Sequence, residues 1–139
     1  MASTRRAVFD TNILISAYLW PGTPREALEI VRGASCALVS AWPAVEEFVR
    51  VLGYQKFGLT AEEIEPFIGD LLSLVTLVQP RKDIHVVTRD PADNLFIAIA
   101  LEGDCSVIVS GDHHLLDLRQ YQGVRIMSAA EFVRAMRSR

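Results

Sequence analysis

Ala7-Val8-Phe9-Asp10-Thr11-Asn12-Ile13-Leu14-Ile15 is the stretch that decides the fold. The apolar run Ala7-Val8-Phe9 stops at an acid, and a second apolar run resumes at Ile13 with helical rather than strand spacing. A buried parallel strand reads this way when it delivers a carboxylate to its C-terminal edge and turns into a helix. In open α/β sheets that edge is where ligands bind. Function therefore turns on whether other acidic residues reach the same edge.

Working outward, residues 12 to 19 read as a short helix, broken at Pro21-Gly22. Thr23, Pro24 and Glu26 form a capping-box arrangement with Thr23 as N-cap, and the helix runs to about Arg32, with Gly33 as its C-terminal cap. Cys36 to Val39 is a second strand, ending at Ser40. Trp42 to Leu52 is helical, with Val45, Phe48, Val49 and Leu52 on one apolar face and Gly53 ending it. Thr60-Ala-Glu-Glu, another capping box, opens an amphipathic helix carrying Ile64, Phe67, Ile68, Leu71 and Leu72. Leu74 to Val78 is a third strand, closed by Pro80. Arg81 to Arg89 is a polar loop, with Val86 and Val87 the place for a short extended piece.

Asp90-Pro91-Ala92-Asp93 opens the next helix, whose body from Leu95 to Leu101 is apolar almost all round, as in a helix buried between layers. Ser106 to Val109 is a fourth strand, ending in Ser110-Gly111-Asp112. A short helix around Leu115 to Leu118, a last strand at Val124 to Met127 and a helix from Ser128 follow, with Ser128 and Glu131 as a third capping box. This alternation predicts an α/β fold, a mainly parallel central sheet with helices on both faces, in a single domain spanning 1–139.

Composition agrees with that size and class. A chain of 139 residues with 50% hydrophobic and 22% charged residues has the makings of one ordinary globular core. The formal net charge of −3 argues against attachment to nucleic acid by bulk positive charge. It leaves a nuclease open, because a metal-binding acidic cluster itself lowers the total. No apolar run is long enough to predict a membrane span, and no signal-type apolar core precedes Asp10. Cys36 and Cys105 sit in apolar runs without C-x-x-C spacing, which predicts reduced core residues in a cytoplasmic protein.

Carboxylates occur at four places at the start of a helix, within one, or just after a strand: Asp10, Glu46 or Glu47, the pair Asp90 and Asp93, and Asp112. Each has an ordinary structural use. Asp10, Asp90 and Asp112 suit N-caps, Asp93 suits a first helical turn, and Glu46 suits an i, i+4 pair with Arg50. Together they are harder to explain, since two carboxylates about 4 Å apart repel by roughly 4 kcal/mol at an effective dielectric of about 20. Oxygen-rich clusters of this kind suit Mg²⁺ or Mn²⁺. His113 and His114 follow Asp112, but neighbours in sequence are expected to point in different directions. On the helical wheel Glu47 lies about 200° from Val45, beside Val51 and Ala44, while Glu46, at about 100°, shares its flank with Arg50. Glu47 thus has the more apolar neighbours, as a partly buried ligand would.

Four segments in order now carry a family resemblance: Val8-Phe-Asp-Thr-Asn12, Glu47-Phe-Val-Arg-Val-Leu52, Asp90-Pro-Ala-Asp-Asn94 and Val109-Ser-Gly-Asp112. Ile126-Met-Ser-Ala-Ala-Glu-Phe132 extends it through the closing strand and helix. The chain resembles PIN-domain proteins over nearly its whole length. The resemblance implies a three-layer α/β/α sandwich and metal-dependent cleavage of RNA phosphodiester bonds. It implies an acidic set of Asp10, Glu47, Asp93 and Asp112 holding Mg²⁺ or Mn²⁺, with Asp90 in a capping or supporting role. Thr11, Asn12 and Ser110 are candidate polar supports. Small single-domain members of this kind resemble the VapC-like toxins of toxin–antitoxin pairs, which implies a homodimer or higher homo-oligomer and an antitoxin partner covering the acidic site.

The expected activity is that of an endoribonuclease that needs no Ser, Cys or Lys nucleophile. RNA would be held by flanking cations, with Arg25, Arg50, Lys56, Arg81, Lys82, Arg89 and Arg119 as candidates. The alternative is a PIN-like module that binds RNA or protein without cutting. A phosphatase using Asp10 as nucleophile ranks lower, because Asn12 stands where such enzymes are expected to carry a second Asp.

Overall fold

The computed structural model describes residues 5–81 and 91–138. Among these residues the sheet has six strands: β1 (Arg5–Phe9), β2 (Cys36–Ser40), β3 (Val75–Leu77), β4 (Val107–Val109), β5 (Gln120–Tyr121) and β6 (Val124–Met127). They lie in the order β3-β2-β1-β4-β6-β5, all parallel except the last pair. The helices among the described residues are α1 (Thr11–Leu19), α2 (Thr23–Arg32), α3 (Trp42–Leu52), α4 (Ala61–Leu74), α5 (Pro91–Glu102), α6 (His113–Leu118) and α7 (Ala129–Arg137). The mainly parallel α/β architecture expected from the sequence is therefore present.

Strand alternation sorts the core into two layers. Ala7 and Phe9, Cys36 and Leu38, and Val107 and Val109 face one way. There they meet α1, α2, Phe48 and Leu52 of α3, Leu71 of α4, and α7. Val8, Val39 and Ile108 face the other way, onto α5 and Leu115 of α6. Side chains of a strand alternate between faces, so each strand serves both cores. Helix α5, buried along Phe96-Ile97-Ala98-Ile99-Ala100, matches its all-round apolar sequence.

The chain leaves β1 toward β2 on one side, while β4 pairs on its other side, with Ala7 opposite both Leu38 and Val107. The crevice between β1 and β4 is thus the topological switch point of the sheet. Helix α5 ends at the opposite edge: the Gly103 carbonyl accepts a 2.6 Å bond from Arg6 Nε, and Ser106 N–H donates to the Arg6 carbonyl at 3.0 Å. A 12-residue helix spans about 18 Å, which returns its first turn, with Asp93, to the C-terminal edge of the strands. Close packing fixes this end of α5, because a Cβ on Gly103 would stand 2.7 Å from Val39 Cγ1.

Local signals held unevenly. The capping boxes at Thr60/Glu63 and Ser128/Glu131 are both formed. At α2 the cap is Gly22, at φ 140°, and Thr23 is already helical with no side-chain cap bond. The Pro21-Gly22 turn sets that entry, so Thr23 has no N-cap role. Leu74 closes α4 instead of opening β3, which keeps only Val75–Leu77. Leu72 is an exposed position of α4. Gln120–Tyr121 adds an antiparallel strand that the sequence did not announce. The extended piece expected at Val86 and Val87 lies outside the described residues. Among the described residues, no helix is long and apolar enough to cross a membrane.

Candidate active site

Asp10 stands where β1 ends, its N–H donating to the Val109 carbonyl at 3.0 Å. The β1–β4 ladder therefore continues to the acid itself. The carboxylate is 5% exposed and takes donors from both sides of the crevice. Oδ1 accepts the Ile13 N–H at 2.8 Å, capping α1, while Oδ2 accepts the Ser110 hydroxyl and the Gly111 N–H, the latter at 3.3 Å. Burial pushes the Asp10 carboxyl above its ordinary value; the bonds from Ser110, Ile13 and Gly111 oppose this, and the nearby charge of Asp112 adds to the rise.

Ser110 joins the second acid to the first. Its fully buried Oγ accepts the Asp112 N–H at 2.9 Å while its hydroxyl donates to Asp10. Asp112 Oδ1 accepts the His114 N–H at 2.8 Å and so caps α6. The structural uses foreseen for Asp10 and Asp112 are both present, and both acids still share one edge. His113 and His114 do not point apart as expected: their rings lie 4.6 Å apart at 35°. Local packing of two neighbouring imidazoles outside the core allows this.

Glu47 reaches the edge from α3. The Thr11 hydroxyl, one residue past Asp10, donates to Glu47 Oε1. Arg50 approaches Oε2 at 3.9 Å, so its partner is Glu47 rather than Glu46. Glu46 is exposed and Glu47 half-buried, in the order the wheel predicts. Asp93 is 4% exposed in the first turn of α5, at the same edge. Asn12 is exposed in the first turn of α1. Asp90 lies outside the described residues.

The hydrogen bonds thus bring Asp10, Ser110 and Asp112 into one chain of contacts, with Thr11 and Glu47 adjoining it. Two participants carried no sequence signal as such: the Gly111 N–H, and the Thr11–Glu47 bond across 36 residues. Of the candidate cations, Arg50 borders the acidic edge. Arg25 is committed to the Ala17 and Tyr18 carbonyls at 3.0 and 3.2 Å, Lys56 stands over the Phe57 ring, and Arg81 pairs with Glu102 at 3.5 Å. Arg119 is the C-cap of α6, and Lys82 and Arg89 lie outside the described residues.

Asp10, Glu47, Asp93 and Asp112 offer oxygen donors, the chemistry of a hard divalent cation. Among the described residues no group of three or more His, Cys, Asp or Glu forms a ready-made metal cage. Mg²⁺ does not need one, since it binds through one or two carboxylates and keeps several waters. Asp10 and Asp112, joined through Ser110 at this edge, offer carboxylates suited to that mode.

The PIN-domain family profile matches residues 6–114. The chain is a member of the PIN-domain family. The matched span begins in β1, ends in α6 and contains Asp10, Glu47, Asp93 and Asp112. PIN domains are in general nucleases and typically use divalent metals, which supports a nuclease activity in coarse terms. No match was found among curated proteins. The last two strands of this PIN domain and α7 lie beyond the matched residues, although β6 and β5 continue the sheet next to β4.

Proposed function

We propose that this PIN domain is a metal-dependent endoribonuclease, and that it serves as the toxin of a toxin–antitoxin pair. The observation carrying the nuclease reading is Asp10 at the sheet's switch point, held by three donors with Asp112 beside it. Asp10 and Asp112 would hold Mg²⁺ or Mn²⁺, with Glu47 and Asp93 completing the acidic set. A divalent ion bound there would lower the pKa of a water and stabilise charge on the phosphate and leaving oxygen. The protein's own part is positional. Ser110 and Gly111 hold Asp10, Thr11 holds Glu47, and Arg50 offsets charge at the rim where RNA approaches.

The toxin reading adds a homodimer or higher homo-oligomer and an antitoxin that covers the acidic edge. Two buried free thiols, with Cys36 pushed up to about 11 and Cys105 to about 12 by burial, support a protein of the reducing cytoplasm. A second reading, an RNA- or protein-binding module without cleavage, draws on the missing three-acid cage among the described residues.

Metal-titrated cleavage of single-stranded RNA tests these readings. Activity should appear with Mg²⁺ or Mn²⁺, vanish in EDTA and fall sharply in Asp10→Asn and Asp93→Asn. Full activity in EDTA, or undiminished activity in both variants, overturns the nuclease. Growth arrest on expression, relieved by Asp10→Asn and by a protein encoded in the neighbouring reading frame, tests the toxin assignment.

A further inference from the structure

A hollow of about 790 Å³ opens beside the acidic edge, between the first turn of α3, the chain leaving β3 and one face of α5. Its walls include the apolar surfaces of Trp42, Pro43, Leu77 and Leu95. Gln79 and Asn94 contribute amides and Arg81, paired with Glu102, a cation, and among the described residues no carboxylate lines it. This is an unexpected lining next to a carboxylate-rich edge in a chain of net charge −3.

Trp42 stands out in it. The indole is 55% exposed, while Ala44, Val45 and Phe48 make the buried contacts of α3. The core therefore does not explain a large aromatic ring at this position. Placement does suggest a use. Trp42 follows Ala41 just beyond the end of β2, where the Ser40 carbonyl accepts the Val78 N–H at 2.9 Å. β2 is next to β1 and β3 lies one strand further out, so the strand ends that lead into the hollow stand roughly 5 and 10 Å from β1 at the usual strand spacing. Asn94 follows Asp93 directly on α5.

We propose that this hollow seats an unpaired nucleobase of the RNA substrate, stacked on Trp42, next to the phosphate held at the Asp10 edge. A neutral, flat, polar-edged ring matches an aromatic and apolar wall with amide groups. Sequence-tolerant RNA binding commonly uses aromatic stacking, and hydrogen bonds to exposed base edges add preference. Base-paired RNA cannot use the seat, because its bases are held in the duplex stack. The proposal rests on the nuclease reading for the identity of its ligand.

The chain has two tryptophans, Trp20 and Trp42, so Trp20→Phe leaves Trp42 as the only indole reporter. This variant keeps a ring against Phe57. Stopped-flow mixing in Mg²⁺ with single-stranded RNA 12-mers, read before turnover, should give saturable quenching of Trp42. A duplex of the same sequence should give none. By anisotropy, Trp42→Ala should bind the single strand about 5- to 150-fold more weakly, and Trp42→Phe should recover much of that loss. Unchanged emission with RNA bound, or equal affinity in Trp42→Ala, overturns the seat and leaves the hollow to a protein partner. Failure of the 12-mers to bind at all overturns it as well. Quenching without cleavage sinks the nuclease reading and keeps the seat; cleavage without quenching does the reverse.

Discussion

The two edges of the sheet use charge against backbone in opposite senses. At the C-terminal edge, acids meet helix N-termini: Asp10 caps α1 and Asp112 caps α6. Away from it, Arg6 bonds the Gly103 carbonyl at the end of α5, and Arg25 bonds the last carbonyls of α1. Both arrangements suit helix dipoles and complete unpaired backbone groups. The difference lies in what is left over. Each arginine is matched to carbonyls, whereas at the acidic edge the charge of Asp112 bears on the buried Asp10. Capping accounts for each acid singly, and under the nuclease reading a divalent cation would account for their accumulation.

The sharpest way to break this contrast is to neutralise the central acid. Asp10→Asn retains a capping oxygen, since Asn caps as well as Asp. Single-turnover RNA cleavage should nevertheless drop by at least about 100-fold, beyond the 10- to 100-fold typical of residues that only orient a metal ligand. A drop confined to the thermal melt, with cleavage intact, would reduce Asp10 to a cap.

Ser110→Ala probes the link between the two acids. It removes the hydroxyl that donates to Asp10 and accepts from Asp112. Metal affinity or cleavage should fall about 10- to 100-fold, measurable as a right-shifted Mg²⁺ titration. An unshifted titration would show that the backbone alone positions the pair.

On the arginine side, Gly103→Ala should affect folding and spare chemistry. The new methyl collides with Val39 Cγ1, and overpacking of this kind costs about 1–3 kcal/mol. Chemical denaturation should show the loss, while cleavage per folded molecule stays unchanged. Reduced cleavage at full stability would mean that the two edges communicate.

The smallest effect concerns a cluster away from both edges. Asp70 accepts bonds from the Tyr18 hydroxyl and the Arg32 guanidinium, and Arg32 above all holds the Asp70 carboxyl below its ordinary value. A depressed carboxyl stabilises the fold above its unfolded pKa, near 3.9, and loses that stabilisation as pH falls through the folded value. Because the pair is partly exposed, Asp70→Asn should cost about 1 kcal/mol or less near pH 7. The gap between the two melting curves should begin to narrow below about pH 4 and close as pH falls through the depressed folded value, and a gap that does not narrow would assign the loss to packing.

Sequence pointed to this candidate site through local signals and hid its assembly in distant ones. An apolar run stopping at Asp10, another stopping before Asp112, and the wheel position of Glu47 were all visible in short windows. That β1 lies between β2 and β4 was not, because strand order depends on packing across the whole chain. The Thr11–Glu47 bond depends on the crossing of α1 and α3. β5 was hidden for another reason. Two residues, Gln120 and Tyr121, are too few to show alternation, and the turn to β6 rests on positive φ at Gln122 and Gly123, 47° and 85°.

Those short outer strands bear on assembly. β3 has three residues and β5 two, so neither rim presents the long row of open amides and carbonyls on which a second sheet could grow. Among the described residues both rims are short, which works against edge-to-edge aggregation. A paired state of the kind the toxin reading requires would draw on helical surfaces more readily than on these short rims.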